Sequence, residues 1–103
     1  MEVLTKGTIE PLMVALRDRL ENIDDLSTVL NPKFSTRKKS DDSAVESNKT
    51  WTVDPGFPMT ALCLIDTTVS AYDAGETYKL YLTWEDGSQS PLKGPIEFRV
   101  EGD

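Results

Sequence analysis

The chain contains no histidine, and Cys63 is its only cysteine. Without histidine, the side chain most often used as a general base and as a metal ligand is missing. A single cysteine excludes an internal disulfide and a thiolate zinc cluster. Its position in the apolar run ALCLI indicates a buried hydrophobic residue rather than a nucleophile. We therefore predict that the protein is not an enzyme and has no catalytic residue, no cofactor and no metal site.

Positive charge and long apolar runs are also scarce. The formal net charge is -7, from 11 basic and 18 acidic residues, and such a balance repels nucleic-acid phosphates and anionic lipid. The basic cluster 37–39 is followed at once by Asp41 and Asp42, so we expect it to be solvated. No stretch approaches the roughly 18 apolar residues of a membrane span. The start MEVLTKGTIEP lacks the basic head and apolar core of a signal peptide. We predict no nucleic-acid or membrane partner, and synthesis in a cytoplasm.

The second half of the chain has the residue pattern of β-strands. The segments KTWTVD, ETYKLYLTWE and PIEFRVE alternate apolar and polar residues, whereas MTALCLID is a nearly uncharged run that predicts a central strand covered on both faces. A turn at Asp86-Gly87 joins the last two alternating segments into a hairpin. Its predicted inward residues are Tyr78, Leu80, Leu82 and Trp84 on one strand and Ile96, Phe98 and Val100 on the other.

The first half is less regular, and residues 9–22 fit both a helix and a strand. Leu12, Leu16, Leu20 and Ile23 follow a helical spacing, but Leu12, Val14 and Leu16 also alternate as in a strand. We favour the strand because the rest of the chain is β, and tertiary context often overrides local propensity. The polar segment 35–49 is predicted to be a mobile loop or an exposed hairpin that orders on assembly.

These segments predict an all-β fold, an immunoglobulin-like antiparallel β-sandwich of six to eight strands. We place an N-terminal arm at residues 1–8 and a single sandwich domain at residues 9–103. The segment from Asp73 to Tyr78 is similar to the tyrosine corner of immunoglobulin-like domains, with a spacing one residue longer than usual. A simple turn followed by a core tyrosine is the alternative interpretation.

The order of these motifs resembles the immunoglobulin-like domain at the N-terminus of baseplate upper proteins of tailed phages, and related small virion proteins. The matching residues are Asp18 with Asp25-Leu26, Gly75 with Tyr78, and Pro91 with Gly94, in a region from about Ile9 to Val100. The chain departs from that pattern at Glu21, where a turn glycine is commoner. The resemblance implies a virion component that acts by packing into an assembly, with no catalytic residues.

From this resemblance we expect a non-enzymatic structural protein of a tailed bacteriophage, most simply a small tail-tip or baseplate protein. A capsid decoration protein is the alternative, and a carbohydrate-binding or adhesion module is a more distant one. The expected partners are other virion proteins, with a symmetric homo-oligomer inside the particle. The candidate partner interface comprises Val3, Leu4, Arg37, Lys38, Tyr81 and Asp86.

Overall fold

The computed structural model describes residues 2–15, 30–54, 56–69, 71–85 and 92–102, and these form eight strands and no helix. Five strands form one sheet, in the order β1-β8-β7-β3-β4, and three form the other, in the order β2-β6-β5. The strands are β1 (Glu2–Thr5), β2 (Ile9–Ala15), β3 (Leu30–Lys38), β4 (Ala44–Thr50), β5 (Thr52–Asp54), β6 (Phe57–Asp66), β7 (Thr77–Glu85) and β8 (Leu92–Glu101).

The strand order is that of an immunoglobulin-like sandwich. The run β8-β7-β3-β4 corresponds to G-F-C-C′ of a variable-type domain, and β2-β6-β5 corresponds to B-E-D. β1 pairs with β8 in parallel, while the other described pairings are antiparallel. The predicted fold class is therefore confirmed, with eight strands in the described part of the chain.

The core lies between the sheets and follows the predicted alternation. Each predicted inward residue of β7 is buried, as are Phe98 and Val100 of β8, while Ile96 packs against this cluster. Full burial of a large apolar side chain contributes about 1.5–3 kcal/mol. The opposing sheet adds Leu12 and Val14 of β2, and Ala61, Cys63 and Ile65 of β6.

Residues 9–15 form a strand, as predicted, and not a helix. β2 pairs antiparallel with β6, and this ladder satisfies the hydrogen bonds that a helix would have made internally. Leu12 and Val14 share the buried face, two residues apart. Leu16, Asp18, the proposed turn at Glu21-Asn22 and the Asp25-Leu26 motif lie outside the described residues.

The prediction of an N-terminal arm at residues 1–8 is wrong. Glu2–Thr5 is an edge strand of the five-stranded sheet, and Leu4 is only 4% exposed in the core of its own domain. The turn that follows is pinned by Thr67, whose hydroxyl oxygen accepts from the backbone N–H groups of Gly7 and Thr8 at 3.0 and 3.1 Å. The same hydroxyl lies 2.8 Å from the carbonyl oxygen of Thr5. Apolar burial and these bonds hold the segment on the domain.

The segment 35–49 is a paired hairpin, so of the two predicted alternatives the hairpin is found and the mobile loop is wrong. β3 extends to Lys38 and β4 begins at Ala44, and the two strands pair antiparallel. The segment looks polar because its inward positions carry Thr36 and Glu46, which are buried and hydrogen-bonded. Inward residues of this kind cannot be recognised from the alternation of apolar and polar residues, because they are polar themselves.

Trp51 interrupts the predicted strand KTWTVD. β4 ends at Thr50 in the five-stranded sheet, and β5 begins at Thr52 in the three-stranded sheet. Trp51 is buried at this crossing, where its indole N–H donates to the Thr83 carbonyl at 3.1 Å. Its ring meets Trp84 edge-on, with centroids 6.2 Å apart. The alternation was correct, but it spans a change of sheet.

Tyr78 has the hydrogen bonding of a tyrosine corner. Its buried hydroxyl accepts from the backbone N–H of Asp73 at 2.6 Å and lies 3.4 Å from the carbonyl oxygen of Ala71. The tyrosine therefore anchors the connection between β6 and β7 at the start of β7. Of the two interpretations offered by the sequence, the corner is the one found.

Replacing Tyr78 by phenylalanine tests this anchor. Tyr78→Phe keeps the ring in the core but removes the acceptor for the Asp73 N–H. We expect the free energy of unfolding to fall by about 1 kcal/mol, measured by urea denaturation. Tyr81→Phe, on an outer face of the same strand, is the control and should cost less than about 0.5 kcal/mol. Equal losses in both variants would contradict an anchoring role for Tyr78.

Candidate partner interface

The outer face of the five-stranded sheet is polar and charged. Both signs of charge occur on it, since Lys79 of β7 lies opposite Glu97 of β8 on one side and opposite Arg37 of β3 on the other. Mixed charges of this kind suit a face that stays in water. The residues on this face include Lys33, Ser35 and Arg37 of β3, Lys79, Tyr81 and Thr83 of β7, and Glu97, Arg99 and Glu101 of β8.

The outer face of the three-stranded sheet is apolar instead. Pro11 lies opposite Leu64, and Met13 lies opposite Leu62 in the β2–β6 ladder. Ile9, Met13 and Leu64 are 61%, 59% and 59% exposed. Isolated exposed hydrophobic residues are common, but a contiguous cluster on one face indicates an interaction site. We call the group Ile9, Pro11, Met13, Leu62 and Leu64 the apolar face.

The prediction that MTALCLID is covered on both faces is wrong for this chain alone. β6 is the central strand of its sheet, and Ala61, Cys63 and Ile65 on its inner side are fully buried. On its outer side, Leu64 remains largely exposed. Nearly continuous apolar runs are typical of strands with a layer on each side. Here the sandwich supplies one of the two layers.

The edge of β2 is poorly suited to adding another strand. β2 is an outer strand of its sheet, and Pro11 at its centre has no backbone N–H to offer. Proline in an edge strand is a common protection against edge-to-edge pairing. A partner that uses this region is therefore expected to pack on the apolar face rather than extend the sheet.

The carboxylates beside the apolar face are engaged within the chain. Asp66, opposite Ile9, accepts from the backbone N–H of Thr68 at 3.0 Å and from its hydroxyl. These bonds lower the pKa of Asp66. Glu10 accepts from the backbone N–H of Thr5 at 2.7 Å and from the Thr8 hydroxyl at 2.9 Å. Through its two bonds from Thr68, Asp66 caps the turn that follows β6.

The residues that the sequence predicted as a partner interface do not form one contiguous surface in the structure. Val3 is 56% exposed on β1, at the edge of the five-stranded sheet, whereas Leu4 beside it is buried and must be removed from the candidates. Tyr81 is half-buried on the charged outer face, opposite Ser35. Asp86 lies outside the described residues.

Arg37 and Lys38, also among those candidates, are held by Asp42 and Asp73 of the same chain. The Arg37 guanidinium donates to the Asp42 carbonyl at 3.0 Å, and the Lys38 ammonium donates to Asp73 at 3.2 Å. Asp42 also accepts from Lys79 at 2.7 Å, which lowers the pKa of its carboxyl. Exposed pairs of this kind contribute little stability. They do reduce the charge available to a partner.

Leu64 was missed because its segment was predicted to be covered on both faces, and Met13 because only the Leu12, Val14 and Leu16 side of its strand was considered. On the outward side, no polar residue separates Pro11 from Met13 or Leu62 from Leu64. That lack of alternation was a signal of burial on two faces. It does not say whether the second covering layer comes from the same chain or from another.

A buried polar cluster connects β3, β4 and the segment before β7. The Tyr72 hydroxyl contacts Glu46 and lies 2.7 Å from the Thr36 hydroxyl, which accepts from the Glu46 backbone N–H at 3.2 Å. Burial and the Glu46 carboxylate raise the pKa of Tyr72, so its hydroxyl stays neutral and donates. Because every member has a partner, the cluster is structural.

The described residues include one thiol, and its surroundings are apolar. Burial raises the pKa of the Cys63 thiol to about 12, which keeps it protonated at neutral pH and a poor nucleophile. Within these residues, no group of three His, Cys, Asp or Glu side chains is placed to hold a metal ion. The apolar face is the feature of the described surface that remains to be explained.

Comparisons of the chain with protein-family models, curated proteins and solved structures found no match. Among the residues described, no helix is both long and apolar enough to cross a bilayer. Function must therefore be inferred from the geometry of this chain and from the order of its motifs.

Removing the buried Glu46 carboxylate should lower the stability of the domain. Glu46→Ala leaves the buried Tyr72 hydroxyl without its carboxylate acceptor, so we expect a loss of about 1–3 kcal/mol in the free energy of unfolding. Glu46→Gln keeps an acceptor oxygen and serves as the matched control, with a smaller loss. Urea denaturation of both variants measures the difference. An equal loss of unfolding free energy in the two variants would contradict a stabilising role for the acceptor oxygen at position 46.

The Cys63 thiol should be inert while the domain is folded. It is fully buried and protonated at neutral pH. An aromatic disulfide reagent at pH 8 should label it only as fast as the domain opens, and at once in denaturant. Rapid labelling of the native protein would contradict the burial of β6.

Proposed function

We propose that this protein is a non-enzymatic structural subunit of a tailed-phage virion that acts by packing against other virion proteins. A small tail-tip or baseplate position is the first choice, and capsid decoration is the alternative. The observation that supports assembly is the apolar face. The outer face of the five-stranded sheet is charged, whereas the apolar face on the three-stranded sheet is exposed. The two strands that form the apolar face, β2 and β6, nevertheless have the sequence of strands buried on both sides.

Free energy favours covering this face. Full burial of a side chain such as Ile, Met or Leu contributes about 1.5–3 kcal/mol. Ile9, Met13 and Leu64 each expose about three fifths of their surface, so covering them contributes several kcal/mol. Association itself costs on the order of 4–15 kcal/mol. One such contact is weak alone, but many copies held in one particle make it effective.

A carbohydrate-binding role has less support. It relied on Tyr81 as a stacking platform, but Tyr81 is half-buried among charged residues. The other described aromatic side chains of the five-stranded sheet are buried, namely Phe34, Tyr78, Trp84 and Phe98. One tyrosine on a sheet of mixed charge offers a glycan little stacking area.

The virion location is supported by the resemblance in motif order. Two residues of that pattern have clear physical reasons to be glycine. Gly75 has φ +88 before β7. Gly94 has φ +137, and a Cβ there would lie 2.7 Å from the Leu80 carbonyl oxygen. Both glycines are required by the local backbone of this domain, so they support the resemblance in fold rather than the phage role itself.

Particle incorporation tests the proposal. A phage lacking the gene is complemented with the wild type, Leu64→Glu or Val3→Glu, and the copy number in purified particles is measured by quantitative mass spectrometry. Leu64→Glu should reduce incorporation at least about tenfold, because burying a carboxylate on the apolar face is costly. Val3→Glu, a matched change at an exposed position of the other sheet, should incorporate normally. Circular dichroism checks that both variants are folded.

Two outcomes would overturn the proposal or its preferred location. If wild-type protein is absent from purified particles, the virion role is wrong. If it is found on purified heads and not on purified tails, the decoration role replaces the tail-tip role. Glycan binding by the isolated monomer that is lost in Tyr81→Ala would favour the adhesion module instead.

A further inference from the structure

The apolar face has a shape that can complement itself. Met13 and Leu64 are long, exposed side chains at diagonal corners of the β2–β6 ladder. The other two corners are lower, because Pro11 has a short ring and Leu62 is partly buried. The face therefore has two prominent side chains on one diagonal, and on the other an exposed but shorter proline and a partly buried leucine.

A two-fold axis fits this pattern. Consider an axis that lies in the interface, parallel to the strands and midway between β2 and β6. It exchanges positions that are opposite each other in the ladder, so Met13 of one copy lies over Leu62 of the other, and Leu64 lies over Pro11. Each prominent side chain of one copy therefore packs on a shorter or partly buried side chain of the other. Such an isologous contact closes at two copies, with the sheets packed about 10 Å apart.

Charge opposes self-association of this chain least at the apolar face. The chain has a net charge of -7, so two copies repel when their charged surfaces meet. The five residues of the apolar face carry no charge. At the rim, the same axis places Ile9 over Asp66, whose carboxylate is already engaged by Thr68. Contact through this face therefore brings the two copies together with little repulsion between facing charges.

The size of the face sets the expected strength. A stable interface buries about 800 Å² on each partner, whereas an apolar patch of five side chains amounts to a few hundred Å². The contact should therefore be weak in solution and become significant where the particle holds copies at high local concentration.

We propose that the apolar face is a self-association surface, on which a second copy of this chain packs face to face about a two-fold axis. This inference rests on the proposed function, because it names the partner that covers the face used for assembly. Pro11 prevents continuous pairing at the β2 edge, so the contact is between sheet faces and not between edges.

Sedimentation velocity of the purified protein tests this proposal. Between about 10 µM and about 1 mM, the wild type should shift from monomer to dimer. Leu64→Glu and Met13→Glu should each weaken the dimer at least about tenfold, since each places two like charges in one small contact. Val3→Glu should dimerise as the wild type does. Raising the salt concentration should preserve or strengthen the dimer, because salt screens the repulsion between acidic copies.

A spectroscopic measurement locates the contact without a mutation. The methyl resonance of Met13 should shift with protein concentration, while the methyl resonances of Val3, at the edge of the other sheet, should not. A monomer at every concentration, or equal weakening by Leu64→Glu and Val3→Glu, would overturn the inference.

The two proposals fail in different ways. If the protein is monomeric but Leu64→Glu is lost from particles, a different virion protein covers the face, and only the self-association is wrong. If Leu64→Glu abolishes the dimer yet incorporates normally, the dimer is real but the face is not used in assembly.

Discussion

A sandwich of two sheets can cover only the inner face of each sheet, and the rest of this structure depends on that constraint. The inner faces supply one core, in which β6 and β7 are the central strands of their sheets. Within the part of the chain that the structure describes, neither outer face is covered by a third layer. Mixed charges suit one outer face to water, whereas the other carries five uncharged, mostly exposed residues. This difference between the two outer faces is the basis of the functional proposal.

Buried polar chemistry in this domain serves the fold. Tyr72 and Tyr78 lie at the connection between β6 and β7, with ring centroids 4.9 Å apart. One hydroxyl meets Glu46 on the edge strand β4, and the other meets the Asp73 backbone. These contacts tie an edge of the five-stranded sheet to the connection from the other sheet. Glu46, Tyr72 and Tyr78 therefore hold the two sheets together through the hydrogen bonds of these buried side chains.

A small β domain can meet a partner through a strand edge or through a sheet face, and this structure favours the face. The N-terminal segment, expected to reach a neighbouring subunit, is instead the strand β1 of its own sheet. Thr67 fixes the turn after it, and Pro11 interrupts the donors of the β2 edge. The interaction surface that we propose therefore lies on the outer side of β2 and β6 and not at the terminus.

Much of the fold was determined locally by the sequence. The alternation in β7 and β8 correctly assigned inward residues such as Leu80 and Phe98, because side chains on a strand point to opposite faces with a period of two. Tertiary structure decided the burial of residues whose environment depends on partners distant in sequence. Glu46 is buried because Tyr72, 26 residues away, provides a hydrogen bond. Leu64 is exposed although its run looks doubly buried, because the described residues form only two layers. The sequence predicted cover on both sides of β6, and only the packing of the two sheets showed that its inner side is buried and its outer side exposed.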